Sequence, residues 1–240
     1  MVDTTALNTQ SSETTRGLAL LPPGPHSISD LNAALRCLQD GGVVAIPTDT
    51  LYGLAADVGN EGALKRIFDV KGRPADLALP VLVSSWEQVA TVAVADDDTI
   101  KQLVTPFWPG SLTLVLPRKP GLSNLVTGGR DTVAVRMPSH WIPLCLASEL
   151  GRPITGTSAN RSGQDNLNSP QEIKESLGDS LAEIVDLGPR PEGIQSTIVD
   201  LTGNYPTLLR EGATPFAEVL EVWDSLNPFT PECEKGGVQD

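Results

Sequence analysis

Two positively charged side chains stand one residue apart in the segment KGRP at 71–74. In an extended backbone, the compact ammonium of Lys71 would lie beside the forked guanidinium of Arg73, an arrangement that binds the oxygens of a polyphosphate well. The alternative is that both cations stabilise the negatively charged end of the helix predicted over 61–70. Taken alone, the pair leaves a phosphate site and a simple helix end equally open.

Two polar segments follow predicted strands. PTDTLYG at 47–53 comes directly after the apolar run 43–46, at a position where open α/β sheets present ligand-binding groups. The alternative there is an ordinary turn whose threonines bond locally. The segment 155–163 contains eight small or polar residues and one arginine, and its hydroxyls, amides and backbone N–H groups could surround an anion.

Two further arginines stand at strand ends. Arg136 ends the strand predicted over 132–135, and Arg210 lies in LREG at 209–212, downstream of Gln195 and Ser196. Each arginine alone could form a salt bridge. Together, in a chain with few cations, they indicate a bound carboxylate or phosphate.

Several catalytic classes find no support in the sequence. The chain contains no GxxxxGK[ST], GxGxxG, HExxH or GxSxG segment, so P-loop, Rossmann, zincin and α/β-hydrolase sites are not indicated. Only two histidines occur, His26 and His140. His140 is predicted to be a capping or surface residue, so catalysis by a histidine base is not expected.

The elements that must position these groups alternate along the chain. A helix is predicted to open at Ser29, and a capping box at 84–87 is predicted to open another. Strands are predicted at 43–46, 79–83, 112–116, 132–135, 153–155, 197–201 and 208–209, and helices at 61–70, 97–105, 140–150, 170–177 and 215–224. This mixed order predicts an α/β or α+β sheet protein.

Length and composition set the domain organisation. The 240 residues fit one domain, with a disordered or loosely docked arm over 1–27, a C-terminal helix over 215–226 and a flexible tail over 227–240. The net charge of −13 opposes broad nucleic-acid or membrane binding. Three widely spaced cysteines and no apolar run of membrane-spanning length predict a cytoplasmic protein.

Seven motifs in order then resemble those of the YrdC-like family of threonylcarbamoyl-AMP synthases, over about residues 28–214. They are PTDTLYGL at 47–54, KGRP at 71–74, WPGSLT at 108–113, VAVRMP at 133–138, SANRSG at 158–163, STIVD at 196–200 and LREG at 209–212. Each motif is weak alone, and the family order and spacing carry the resemblance.

The resemblance implies a fold and a reaction. The fold is an open, twisted, mixed β-sheet flanked by helices, with a large concave ligand-binding face. The reaction converts L-threonine, bicarbonate and ATP into threonylcarbamoyl-AMP and pyrophosphate, toward the t6A base beside the anticodon of tRNA. ATP comes with Mg²⁺ as a substrate complex, with no tightly bound cofactor and no metal site made by protein side chains alone. A t6A transferase takes the product, so tRNA is an indirect partner.

The resemblance also implies site residues. ATP would contact Lys71, Arg73, Thr132, Ser158, Asn160 and Arg210, with Lys71, Arg73, Ser158 and Asn160 as the catalytic set. Threonine would contact Thr50, Arg136 and Ser196, with Arg136 on its carboxylate.

The chain departs from the family in two respects. Leu77 and Leu82 stand where many members carry a polar residue and some a histidine. Longer members add a second domain, whereas 28 residues follow Gly212 here, so the short, single-domain form is expected. The alternatives are an RNA-binding or regulatory paralogue without synthase activity, and a relative of the hydrogenase-maturation carbamoyltransferase.

Overall fold

The computed structural model describes residues 25–74, 76–95 and 98–227. The arm predicted over 1–27 lies outside this part as far as residue 24, and the tail over 227–240 lies outside it from residue 228. The first helix begins at Pro25, four residues before the predicted start at Ser29. Proline suits the first helical position because its missing N–H would have no partner there.

The described residues form eight α-helices, one short 3₁₀ turn and ten strands. The helices are α1 (Pro25–Gln39), α2 (Glu61–Lys71), α3 (Trp86–Val92), α4 (Asp98–Val104), α5 (Asn124–Thr127), α6 (Trp141–Leu150), α7 (Pro170–Leu177) and α8 (Phe216–Leu226), and the 3₁₀ turn is Gly178–Ser180. The strands are β1 (Val44–Pro47), β2 (Tyr52–Ala55), β3 (Val81–Leu82), β4 (Leu112–Pro117), β5 (Thr132–Arg136), β6 (Ile154–Thr155), β7 (Thr157–Ser158), β8 (Glu183–Ile184), β9 (Thr197–Asp200) and β10 (Thr207–Arg210).

The strands form two sheets. One has four strands in the order β7-β2-β1-β8, and the other has six in the order β10-β9-β4-β5-β3-β6. Both mix parallel and antiparallel pairs; β1, for example, pairs antiparallel with β2 and parallel with β8. The predicted mixed α/β architecture is confirmed, with its strands divided between two sheets.

Strand β1 is buried on both faces, as its continuous apolar sequence predicts. Val44 and Ile46 pack in a cluster with α1 and α6, whereas Ala45 faces the larger core built around the six-stranded sheet. A strand in this position needs apolar residues at every step, because neither face meets water. Strand β1 thereby anchors the turn that follows it.

The chain passes from one sheet to the other at Gly156, between β6 and β7. A Cβ atom at this position would stand 2.4 Å from the Cγ of Leu82. Thr155 fixes the junction, because its hydroxyl accepts a hydrogen bond from the Ala56 N–H at 2.9 Å and donates one to the Leu54 carbonyl at 3.0 Å. Only glycine allows the strands to approach so closely here.

Two strands occur where the sequence predicts polar loops. Tyr52–Ala55 turns back on β1 as a hairpin, with Pro47 opposite Tyr52, and Thr157–Ser158 pairs with β2. The hairpin turn is closed by the Thr48 hydroxyl, which donates to the Leu51 carbonyl at 2.6 Å. Thr157 and Ser158 therefore lie on a strand, whereas Thr48, Asp49 and Thr50 lie in the short turn between β1 and β2.

Candidate functional site

A cavity of about 340 Å³ is lined by residues of both sheets. The four-stranded sheet contributes β2, β7 and the turn before β2, and the six-stranded sheet contributes β3, β4, β5, β9 and β10. Six of the nine predicted site residues line it: Thr50, Arg73, Arg136, Ser158, Ser196 and Arg210. The other three, Lys71, Thr132 and Asn160, are not among its lining residues.

Lys71 lies behind the cavity wall and is 2% exposed. Its Nζ donates to the Ser158 carbonyl at 2.5 Å, to the Asn160 carbonyl at 2.9 Å and to Asn160 Oδ1 at 3.1 Å. An ammonium has three N–H donors, and these three oxygens match them. In this structure Lys71 holds the turn over 158–160 from behind.

Asn160 completes this turn. Its Oδ1 accepts from the Ser158 hydroxyl at 2.7 Å, and its Nδ2 donates to the Gln164 carbonyl at 2.6 Å. Burial, and secondarily the charge of Arg73, lower the pKa of Lys71 to about 8. The structure thus places three of the predicted catalytic residues, Lys71, Ser158 and Asn160, in one hydrogen-bonded unit with only Ser158 on the cavity.

Gly72 separates the two cations of the KGRP segment. It adopts a left-handed conformation with φ 56° and ends α2, so the chain turns immediately after Lys71. Arg73 then reaches the cavity, where its Nη2 donates to the Ala78 carbonyl at 2.8 Å and its Nη1 to the Thr157 hydroxyl at 3.3 Å. Burial lowers the pKa of Arg73, and its Nε is buried without a hydrogen-bond partner among the described residues.

Arg136, at the end of β5, is 5% exposed and held on three sides. Its Nε donates to the Gly110 carbonyl at 2.8 Å, its Nη1 donates to the Thr50 hydroxyl at 2.8 Å, and its Nη2 lies 2.5 Å from Asp49 Oδ1. Burial lowers the pKa of this guanidinium, and Asp49 opposes the shift. Because Asp49 balances the charge, the arginine can stay ionised in a buried position.

The turn before β2 contains two neighbouring threonine hydroxyls, of Thr48 and Thr50. The Thr48 hydroxyl donates to the Leu51 carbonyl at 2.6 Å and accepts from the N–H groups of Thr50 and Leu51 at 3.2 and 3.1 Å. It also lies 3.0 Å from the Thr50 hydroxyl. The Thr50 oxygen accepts from Arg136 and keeps a second lone pair for a ligand donor. An ammonium and a carboxylate could thus be bound side by side, by Thr50 and Arg136.

Arg210 and Ser196 meet on the opposite wall. Arg210 Nη2 donates to the Ser196 carbonyl at 2.8 Å and to its hydroxyl at 3.2 Å, and that hydroxyl lies 2.9 Å from Thr113 Oγ1. The β9–β10 pairing shifts register between Leu208 and Arg210. Burial and the charge of Arg136 lower the pKa of Arg210. The two guanidinium groups are therefore close enough for their charges to interact.

Charge in the cavity is one-sided. Three arginines, Arg73, Arg136 and Arg210, are among its lining residues, and none of the described residues that line it is acidic. Asp49 is the acidic partner of Arg136 but is not among the lining residues. The geometry therefore fits a ligand with several negative charges.

Comparison with known proteins shows the family of the chain. The sequence model of the Sua5/YciO/YrdC family, described as Telomere recombination, matches residues 36–212. The chain belongs to this family.

Two curated relatives are named Threonylcarbamoyl-AMP synthase. The one from Pyrococcus abyssi (strain GE5 / Orsay) is 43% identical over 185 residues, covering 77% of this chain and 54% of the relative. The one from Bacillus subtilis (strain 168) is 42% identical over 180 residues, covering 75% and 52%.

A solved structure supports the same assignment. P. abyssi Sua5 complexed with L-threonine superposes with a TM-score of 0.76 at 42% identity, covering 80% of this chain and 56% of that one. The chain thus spans about half the length of the curated relatives it matches. The predicted YrdC-like family and fold are confirmed.

Within this YrdC-like domain the two leucines that depart from the family pattern differ in position. Leu82, on β3, is 2% exposed and lines the cavity, whereas Leu77 is 39% exposed and is not among the lining residues. Leu82 therefore places apolar surface in the cavity itself. Thr132 starts β5 opposite Pro117, at the other end of the strand from Arg136.

Five lining residues with polar side chains are not among the predicted site residues: Thr48, Tyr52, Thr113, Thr157 and Gln195. Thr113 belongs to the WPGSLT motif and contacts Ser196 from β4, and Gln195 precedes Ser196 on the wall. Alternation along β4 could have indicated an inward Thr113, but only the register shows that this face meets the cavity. Among the described residues no group of three or more His, Cys, Asp or Glu could hold a metal ion, and no described helix is long and apolar enough to cross a membrane.

Proposed function

We propose that this protein is an L-threonylcarbamoyladenylate synthase, a nucleotidyltransferase whose catalytic domain covers about residues 28–214. It would convert L-threonine, bicarbonate and ATP into threonylcarbamoyl-AMP and pyrophosphate. The observation that carries the proposal is the cavity of about 340 Å³ with three arginines and several hydroxyls on its walls. Relatives named for this reaction and a relative structure containing L-threonine support it.

The phosphates of ATP would bind Arg73, Ser158 and Arg210. Arg73 and Arg210 carry guanidinium groups on the cavity, which suit phosphate oxygens. Lys71 and Asn160 would support this half from behind, because their hydrogen bonds hold the Ser158 turn. Thr132 would also contact ATP in this half, although it is not among the cavity's lining residues.

L-Threonine would bind Arg136, Thr50 and Ser196. The guanidinium of Arg136 has five N–H donors, two of which donate to the Gly110 carbonyl and the Thr50 hydroxyl. Its other N–H groups face the Asp49 ion pair and the substrate carboxylate. The free lone pair of Thr50 would accept from the substrate nitrogen. Ser196 connects the two halves, since its hydroxyl accepts from Arg210 of the ATP half.

The chemistry needs positioning and charge neutralisation more than a covalent nucleophile. The threonine nitrogen adds to CO₂ derived from bicarbonate and loses a proton, which gives a carbamate. A carbamate oxygen then attacks the α-phosphorus of ATP, the bond from that phosphorus to the bridging oxygen breaks, and pyrophosphate leaves. Arg73 and Arg210 would stabilise the charge that develops on the phosphates, and Mg²⁺ would enter with ATP.

The product needs an acceptor. We propose that a t6A transferase takes threonylcarbamoyl-AMP, so that tRNA is an indirect partner. We also propose a cytoplasmic location, which the free thiols of Cys37 and Cys145 support.

The test is direct. Purified protein is mixed with ATP, Mg²⁺, bicarbonate and L-threonine, pyrophosphate release is followed, and threonylcarbamoyl-AMP is measured promptly by mass spectrometry. Pyrophosphate that depends on threonine and bicarbonate, together with the adduct, is the expected result. A folded protein that yields neither would overturn the proposal and favour a regulatory or RNA-binding paralogue.

A further inference from the structure

A segment outside the predicted motifs runs along the proposed threonine half. We call residues 186–194, between β8 and β9, the strap. Its Gly193 N–H donates to the Thr50 carbonyl at 2.8 Å, and its Glu192 N–H donates to the Asp49 carbonyl at 3.2 Å. The strap is thus tied to the turn whose side chains hold Arg136.

The strap is also tied to the start of α6, through His140. This histidine is 3% exposed, and its Nδ1 accepts from the Ile142 N–H at 3.2 Å as the helix cap. Because Nδ1 is an acceptor, the proton of the neutral ring is on Nε2. Nε2 lies 3.1 Å from the Pro189 carbonyl and therefore donates to it.

The fit between the strap and α6 is close. A Cβ atom at Gly188 would stand 2.7 Å from Trp141 Nε1 and 2.9 Å from His140 Cε1. Gly188 has a φ of 85°, so its backbone lies directly on the two rings in a conformation that other residues rarely adopt.

The strap leads directly into the cavity wall. Gln195 and Ser196 follow it in the chain and line the cavity, and the Ser196 carbonyl accepts from Arg210. A shift of the strap would therefore move the Ser196 hydroxyl relative to Thr50.

We propose that His140 is a positioning residue that sets the threonine half of the site, by holding the strap through its Nε2–H···O bond to Pro189. This inference rests on the proposed function. His140 is not among the cavity's lining residues, so it acts through the strap and does not touch substrate.

Two substitutions test the two hydrogen bonds of the His140 ring one at a time. Asparagine in His140→Asn can replace Nδ1 as the helix cap but is too short to reach the Pro189 carbonyl. Glutamine in His140→Gln places an amide N–H near the position of Nε2 and loses the cap. A merely structural role would make both variants less stable without separating the substrates.

Three quantities are measured for the wild type and both variants: amide exchange of the strap, threonine binding by calorimetry, and steady-state kinetics. In His140→Asn we expect faster exchange at Glu192 and Gly193, and a threonine Kd and KM raised about fivefold, the effect of one lost neutral hydrogen bond. The KM for ATP should stay within about twofold of the wild type. His140→Gln should restore the wild-type exchange and threonine KM.

The measurements distinguish failure of this inference from failure of the proposed function. Unchanged strap exchange in His140→Asn, or equal increases in the KM for threonine and for ATP, would overturn the inference. A wild-type protein that neither binds threonine nor releases pyrophosphate would instead refute the proposed function, while the exchange data would still show whether His140 holds the strap.

Discussion

Arg136 illustrates at the residue scale how one side chain can be both buried and available. Two of its N–H groups donate to Gly110 and Thr50, and its Nη2 forms an ion pair with Asp49, which together fix the plane of the guanidinium. The remaining donors of this planar group then point in set directions. A lysine has no such fork, so it could not keep the three protein contacts and bind a carboxylate in two places.

This difference predicts the effect of Arg136→Lys. We expect the threonine KM to rise at least about tenfold, since a charge-assisted contact worth roughly 1.5–3 kcal/mol is lost, while the KM for ATP stays within about twofold. Arg118→Lys is the matched control, because Arg118 is not among the cavity's lining residues and pairs with the exposed Asp131. A defect in ATP use alone would show that the two halves of the site are reversed.

Lys71 carries a prediction about pH. Its pKa of about 8 results from burial and from the charge of Arg73. Below that pH the ammonium has three donors for its three oxygen partners, and above it the neutral amine has only two. The turn over 158–160 should therefore loosen as the pH rises through about 8.

The measurement is the Kd of a non-hydrolysable ATP analogue between pH 7 and pH 9. We expect the Kd to rise about threefold to tenfold across this range in the wild type, the effect of weakening one charged hydrogen bond. Lys71→Met should bind weakly at every pH, with a flat profile. A wild-type profile as flat as that of the variant would exclude the titration of Lys71 as the cause.

At the scale of elements, local sequence predicts the long strands and helices well. The apolar runs of β1 and β4 and the caps of α3 and α7 indicate those elements directly, because the information is in adjacent residues. The strands β2, β7 and β8 were missed. Two of them, β7 and β8, are only two residues long and exist because a distant partner supplies their hydrogen bonds.

The site also combines features that the sequence indicates with features that depend on distant partners. Motif resemblance indicated six residues that do line the cavity, but the sequence did not show that Lys71 lies behind the wall. A buried lysine is recognised only when its acceptors are known, and here two of them are backbone carbonyls, of Ser158 and Asn160. Backbone acceptors leave no trace in residue types.

The junction between the sheets gives a prediction at this scale. Gly156→Ala would place a methyl group 2.4 Å from Leu82 Cγ in a buried position, so we expect a loss of about 1–3 kcal/mol in the free energy of unfolding. Gly203→Ala is the control, since a Cβ there meets nothing within 4 Å. Urea unfolding measures both variants.

A second substitution tests the cause. Adding Leu82→Ala to Gly156→Ala removes the atoms that clash, so the double variant should lose less free energy of unfolding than the sum of the two single changes. If the two losses simply add, contact with Leu82 is not the reason for glycine at this position.

At the scale of the whole molecule, the local charge of the cavity is opposite in sign to the net charge of the chain. The chain has a net charge of −13, yet three arginines face one cavity. Attraction between charges in solution fades over about 8 Å at physiological salt. A small anion inside the cavity therefore meets mainly the arginines, whereas a long polyanion also meets the acidic remainder of the surface.

This contrast separates the enzyme from the RNA-binding alternative. We expect a non-hydrolysable ATP analogue to bind, and an unmodified tRNA to give no shift at about 10 µM protein and physiological salt, because an acidic surface repels a phosphate backbone. Arg73→Ala should weaken binding of the analogue and leave the absence of a tRNA shift unchanged. A salt-dependent tRNA shift at low micromolar protein that Arg73→Ala abolishes would mean that the cavity arginines form part of an RNA-binding surface. That result would favour the RNA-binding paralogue over the synthase.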